Sequence, residues 1–412
     1  REEMEKWFIK NKKADFQAIM RQYKVSEVLA RLIVNRNHET MEDIEAYLHP
    51  DLKHLHNPLL MKDMRKARDI LGQKIESQAK IRIIGDYDVD GISSTFVLYT
   101  GLKRCGANVD YEIPNRMKDG YGININIIKA AYEDGIDTIV TCDNGISALE
   151  QVEKAKELGM TVIITDHHDI PFTMEDNQII YHIPKANAVI NPKQPDCEYP
   201  WKVLCGAAVA LKLIQALYER FNFSRQELGE LLEVVAIATV CDVMDLVDEN
   251  RIIVKNGLDR LRSTKNLGLR ALIDINNIHI ANLSAYHLGF IIGPCLNASG
   301  RLDTAKKGLK LLLADTPEEA KKLAEELKEL NDARKDMTAK GLEQAIQIVE
   351  TGDMKEDKVL VVYLEDCHES LAGIIAGRIR EKYNKPTLVL TNSENGVKGS
   401  GRSIEQYNMY EE

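Results

Sequence analysis

The chain has 412 residues, too many for one compact core, so two or three domains are expected. Charged residues make up 29% and hydrophobic ones 44%, and no apolar run is long enough to span a bilayer, which excludes a helical membrane protein. A net charge of −10 argues against nucleic-acid binding over the whole surface, while leaving room for a local basic groove.

The charged, amphipathic start REEMEKWFIKNKKADF does not read as a signal peptide, and without an initiator Met it suggests trimming. Seven scattered cysteines (105, 142, 197, 205, 241, 295, 367) form no CxxC pair. This predicts reduced thiols in a cytoplasmic protein, not a zinc cluster or a disulfide framework.

From about Ile81 to Asn191 short β-branched runs alternate with helical stretches. The runs are 81–84, 109–113, 137–141, 161–165 and 188–190; 93–106 and 147–159 are candidate helices between them. Strand–helix–strand alternation at this spacing predicts a doubly wound parallel sheet. Two very apolar helices are expected over 201–221 and 228–246. A long charged stretch from about 305 to 350, with Leu and Ala at helical intervals, reads as a solvated connecting helix. Runs 358–364 and 385–392 flank a helix over 372–383, the start of a second α/β domain that the chain leaves incomplete.

The strongest local signal is Gly85-Asp86-Tyr87-Asp88-Val89-Asp90-Gly91, directly after the first strand. In an extended segment alternate residues share a side, so Asp86, Asp88 and Asp90 would crowd together. Repulsion would raise at least one pKa unless a divalent cation relieved it, and hard carboxylates suit magnesium or manganese. An acidic turn would be the bland explanation. A calcium hand fits poorly, since Gly91 follows the third acid directly and no Glu closes a 12-residue loop. Two further strands end in Cys142-Asp143-Asn144-Gly145 and Asp166-His167-His168. Any one of these could be a turn, but acids and imidazoles at three carboxyl ends of one open sheet stand where ligands bind. Asp242, near the end of an apolar helix, would be costly to bury without a partner.

These segments, DYDVDG, CDNG, TDHH and ATVCDVMDL in this order, resemble the four metal-site motifs of the DHH phosphoesterase superfamily. MKDMRKARDIL, the stretch 135–170, GPCLNASGRL, CHESLAGIIAGRI and GSGRS resemble its RecJ exonucleases in particular. The resemblance runs from about Met61 to the end. It implies an N-terminal accessory segment (1–75), a DHH catalytic domain (76–250), a helical connector (251–352) and the start of a substrate-binding domain (353–412).

Carried over residue by residue, it makes Asp86, Asp88, Asp90, Asp143, His167 and Asp242 ligands of two divalent cations, manganese ahead of magnesium. Asp143 would bridge the ions, Asp166 would orient the imidazoles and His168 would contact the scissile phosphate. Arg301, Arg378 and the loop Ser400-Gly401-Arg402-Ser403 would hold nucleotide phosphates, with Asn297 and His368 in the same motifs. The implied activity is a 5′ to 3′ exonuclease releasing mononucleotides from single-stranded DNA in repair and recombination. A monomer is implied, with single-strand-binding protein and a helicase as partners.

Tyr87, Tyr121 and Trp201 are the aromatics offered for base stacking. Two positions depart from the family pattern: Ile84, where His is frequent, and Cys295, where Arg is common. The chain also stops at Glu412, before a Gly-Gly-His motif. Two other functions remain: a phosphodiesterase on short oligonucleotides or cyclic dinucleotides, and an inactive replication scaffold of the same fold.

Overall fold

The computed structural model describes residues 8–115, 122–393 and 396–409. Five parallel strands form the central sheet: β1 (Lys80–Ile84), β2 (Asn108–Glu112), β3 (Thr138–Cys142), β4 (Thr161–Thr165) and β7 (Ala188–Ile190), in the order β2-β1-β3-β4-β7. Successive side chains point to opposite faces, and both faces are covered. Ile81, Ile83, Val140 and Ile163 enter a core shared with the Met64–Glu76, Val89–Arg104, Gly206–Arg220 and Gly229–Cys241 helices. Ile84, Ile139, Val162 and Ile164 enter the opposite core, beneath Ile125–Glu133 and Leu149–Glu157. The doubly wound sheet is therefore as expected. Strand order reverses between β1 and β3, which opens a crevice at their carboxyl ends.

An antiparallel hairpin, β5 (Phe172–Glu175) and β6 (Gln178–Tyr181), follows β4 and was not anticipated. Its turn residues Asp176 and Asn177 both take positive φ, as a tight hairpin turn requires.

Residues 8–48 carry three short helices around a small separate core of Ile19, Ala30, Ile33, Val34 and Ile44. Met64–Glu76, although within the expected accessory segment, packs into the main core. So do Ile253, Leu272, Leu296 and Leu309, from the stretch expected to be a connector. Their apolar faces have no other place to be buried. The connection falls to one helix, Pro317–Thr351, capped by Thr316 and about 50 Å long at 1.5 Å per residue. Ala324 and Leu327 at its start join the main core, and Ala345 and Val349 near its end join a third.

That third core underlies the second α/β unit. Its strands are β8 (Leu360–Tyr363), β9 (Thr387–Ser393) and β10 (Gly396–Arg402), with β8 parallel and β10 antiparallel to β9. Ser400-Gly401-Arg402, read from sequence as a loop, is thus an edge strand paired along its length with β9. A Cβ at Gly399 would meet the tip of the Leu390 side chain at 2.5 Å, so a larger residue there would shift that side chain. Among the described residues no helix is long and apolar enough to cross a membrane, and all seven cysteines are free.

Candidate metal centre

The expected extended run of acids is interrupted. A helix begins at Val89, with Asp88 as its N-cap accepting from Gly91 N at 3.0 Å. Gly91 has no alternative, since a Cβ there would lie 2.4 Å from the Asp86 carbonyl. The turn sends Asp86 and Asp88 one way and Asp90 another. Asp86 and Asp88 group with Asp143, whereas Asp90 groups with His167 and Asp242; Asp143, His167 and His168 form a third set. The ligand atoms within each set lie within 4.8 Å of one another. Asp143 and His167 are each shared by two sets, so the groups form one continuous centre.

Each side chain is positioned by backbone chemistry. Asp90 accepts from Gly206 N (2.6 Å) and Ala207 N (2.8 Å), at the start of the Gly206–Arg220 helix. These amides explain why that helix starts at Gly206 and not at Trp201 as expected: the donors must be left over from the first helical turn. Asp143 directly follows β3 and sits in the left-handed region (φ 59°), which Asp tolerates better than most residues. Its neighbour Asn144 ties the crevice together, donating to Ile84 O (3.1 Å) and Cys142 O (2.9 Å). His167 Nε2 faces Asp143 Oδ1 at 3.1 Å, Asp90 Oδ2 at 3.6 Å and Asp242 Oδ2 at 3.7 Å. Asp242 caps the apolar Gly229–Cys241 helix, and the next residue, Val243, holds φ 57°. That conformation is unusual for a β-branched residue and is typical of functional sites.

Asp166 Oδ1 shares a 2.7 Å hydrogen bond with His168 Nδ1 and accepts from both histidine amides; Oδ2 accepts from Ile146 N at 2.9 Å. It therefore fixes the ring of His168 but holds His167 only by its backbone. His168 is half-exposed at the rim, beside a cavity of about 430 Å³ that Asn144, Gly145 and Asp169 also line. A larger cavity of about 1030 Å³ lies elsewhere, near Lys103, Glu230 and Arg260, and contains none of these acids.

The electrostatics are those of a cation site. Burial, then repulsion from Asp90 and the neighbouring acids, lifts Asp143 well above the carboxylate range. Burial likewise raises Asp90, and it raises Asp242 to about 7 with help from Asp90 and Asp88. Asp166 goes the other way, because the His168 hydrogen bond and backbone donors outweigh its burial. The same bond raises His168 against its burial, whereas burial lowers His167. Asp90 and Asp242 form no ion pair with Lys or Arg among the described residues, and Asp242 Oδ2 is buried without a hydrogen-bond partner there. Such oxygens call for a cation.

The donors are carboxylate oxygens and imidazole nitrogens, which suit manganese or magnesium. The nearby thiols are occupied: Cys142 with Thr95, Cys205 with Thr239 and Cys241 with Leu288 O. Burial pushes all three up, Cys241 to about 12.

Beside the acidic turn runs the Gly293–Leu302 helix. Gly300 touches it so closely that a Cβ would lie 2.2 Å from Tyr87 O. Asn297 and Arg301 lie on this helix, and Arg301 Nη1 donates to Ser370 O (2.6 Å) across to the second unit. There His368 Nδ1 pairs with Ser370 Oγ at 2.7 Å. Ser400 and Arg402 lie against Gly373, at the start of the Ala372–Tyr383 helix, which also carries the exposed Arg378. Ser403 Oγ accepts from Met409 N at 3.0 Å. Of the expected phosphate contacts, Arg301 thus reaches the second unit, and Ser400 and Arg402 lie beside Gly373 within that unit.

Cys295 is buried with the Asn331 and Asn276 amides on its sulfur, and Ile84 faces the second core. Tyr87 and Trp201 are half-buried against the main core, and Tyr121 lies outside the described residues. Sequence reasoning missed the Gly206 and Ala207 amides, for which the small residues of GAAVA were the one available signal. Arg334, half-buried on the connecting helix, bonds Asn331 Oδ1 at 3.1 Å and forms no ion pair among the described residues. Burial, with repulsion from Arg378, lowers its pKa.

Family models match at residues 80–239 (DHH family, N-terminal domain) and 356–412 (DHHA1 domain). The single-stranded-DNA-specific exonuclease RecJ of Bacillus subtilis is 37% identical over 98% of this chain and 50% of its own length. That of Escherichia coli is 36% identical over 93% of this chain and 67% of its own. A crystal structure of an exonuclease RecJ bound to manganese superposes with a TM-score of 0.74 at 32% identity, covering 85% of this chain and 84% of that one. The chain thus spans about half to two thirds of the length of these curated relatives. It belongs to the RecJ family, with a DHH domain followed by a DHHA1 domain.

Proposed function

We propose that the chain is a metal-dependent, single-strand-specific DNA exonuclease that degrades 5′ to 3′ and releases 5′-mononucleotides in DNA repair and recombination. The observation that carries this is the convergence of Asp86, Asp88, Asp90, Asp143, His167 and Asp242 in one cluster, beside the helix whose Arg301 reaches the second unit. Two divalent cations, manganese preferred over magnesium, would be held by these residues with Asp143 common to both, and would supply an activated water and neutralise charge at the scissile phosphate.

The protein's own part is positioning. Asp166 holds His168 by Nδ1, so Nε2 is the atom that would reach a phosphate oxygen. Arg301, Arg378 and Arg402 would grip phosphates bidentately from both sides of the junction, with Asn297, His368, Ser400, Gly401 and Ser403 alongside. Residues 76–250 would be the catalytic domain and 353–412 the substrate-binding one. The free cysteines support a cytoplasmic location. A monomer working with single-strand-binding protein and a helicase fits the family.

The test is manganese-dependent digestion of a 5′-labelled single-stranded oligonucleotide, beside its duplex and Asp143→Ala. Labelled mononucleotide from the single strand alone, lost in the variant, is the expected result. Cleavage of dinucleotides only would transfer the assignment to short substrates. Metal binding without cleavage of either would leave a scaffold.

A further inference from the structure

We propose that Tyr286 and Phe290 form a stacking platform for bases of the single strand beside the metal centre. This rests on the nuclease reading and adds to it the element that holds bases, which the acids and arginines do not supply. The two rings lie face to face on the surface, centroids 5.0 Å apart and 27° from parallel, with the residues 62% and 69% exposed. Large apolar residues of a soluble protein are seldom left as an exposed stacked pair without a partner.

Their position ties them to the chemistry. Tyr286 precedes a π-helical turn, Leu288–Ile292, and Phe290 stands in it; such turns are often found at functional sites. That turn is seated on the end of the helix that presents Asp242. A Cβ at Gly289 would stand 3.2 Å from Val240 Cγ1, one at Gly293 would stand 2.2 Å from Cys241 Sγ, and Cys241 Sγ contacts Leu288 O at 3.5 Å. Val243, 86% exposed, leaves the same helix end. Continuing along the chain, the next helix carries Asn297 and Arg301 to the junction. One continuous segment therefore runs from the exposed rings, past the metal centre, to the phosphate contacts.

Charge points to the same occupant. From Ile275 to Leu302 there is no Asp or Glu, although 64 of the 412 residues are acidic. The exposed part of this segment therefore adds no negative charge of its own to repel a polyanion. Because Arg301 is its only Lys or Arg, the segment's own contribution is stacking, not phosphate pairing. Stacking needs only a π-face, so it accepts every base, as an exonuclease without sequence preference requires.

The test uses the whole chain with calcium in place of manganese, and an oligothymidylate ladder carrying a single 2-aminopurine moved along the strand. In the wild type, fluorescence quenching should appear at one or two adjacent positions, and affinity should step up at that length. Tyr286→Ala with Phe290→Ala should remove both, weakening binding of the longer strands roughly 5- to 100-fold. Tyr286→Trp should retain the quenching, and Tyr132→Ala, an exposed tyrosine on another helix, is the control. Quenching and affinity unchanged in the double variant, with the wild type binding normally, would overturn the platform alone. A wild type that binds no single strand would overturn the nuclease reading with it.

Discussion

Gly206→Ala tests the geometry of the centre without removing a charge. The glycine begins a helix with ordinary φ, so alanine suits its backbone, and its amide to Asp90 would remain. The added methyl would lie 2.7 Å from Asp143 Cβ and 2.8 Å from Asp143 Oδ1. Moving from 2.7 Å to the 3.4 Å of ordinary contact displaces the Asp143 side chain by about 0.7 Å. Disturbing the support of a metal ligand typically costs 10- to 100-fold in affinity, about 1.4–2.7 kcal/mol. Isothermal titration of the purified variant with manganese should show that weakening, with circular dichroism confirming an intact fold. Wild-type affinity in a folded variant would refute the assignment of Asp143 as a ligand held by this contact.

Asp242, raised to about 7 without metal, must lose its proton to bind a cation. Manganese affinity should therefore fall about tenfold per pH unit below 7 for each proton displaced, with proton release seen as a buffer-dependent binding enthalpy. The sign for stability is the reverse. A carboxyl whose folded pKa is raised stabilises the metal-free protein at low pH and loses that contribution as pH rises through 7, so melting of the metal-free protein should be more pH-dependent than that of Asp242→Asn. Asp166→Asn should retain most of the metal affinity yet slow turnover by about 10- to 100-fold, because His168 loses its anchor; an unchanged rate–pH profile would contradict that role. Lys212 and Glu249 form a fully buried ion pair that Tyr199 also joins. Lys212→Met should cost about 3–5 kcal/mol in chemical denaturation by stranding Glu249, and Lys212→Met with Glu249→Gln should recover part of it.

Much was legible because it is local. The β-branched runs fixed the strands of the central sheet, alternation with helices made it parallel, and DYDVDG, CDNG and TDHH followed strands whose carboxyl ends must share one edge. Asp242 stood out as a carboxylate in an apolar helix. What periodicity could not reach was how the acids divide. Asp86 and Asp90 part company because a helix starts between them, and that start depends on the close fit of Gly91 against Asp86. The amides of Gly206 and Ala207, more than a hundred residues from Asp90, leave no mark in composition. The helices between 251 and 312 read as a connector because their apolar faces look alike whatever they cover, and only packing joined them to the main core. Ser400-Gly401-Arg402 looked like a loop because glycine is a turn residue by propensity, yet pairing with β9 overrides propensity at a sheet edge. The sequence by itself determined which acids and imidazoles the chain carries and which strands they follow. The tertiary structure alone decided which of these side chains lie together, because that depends on contacts between segments far apart in the chain.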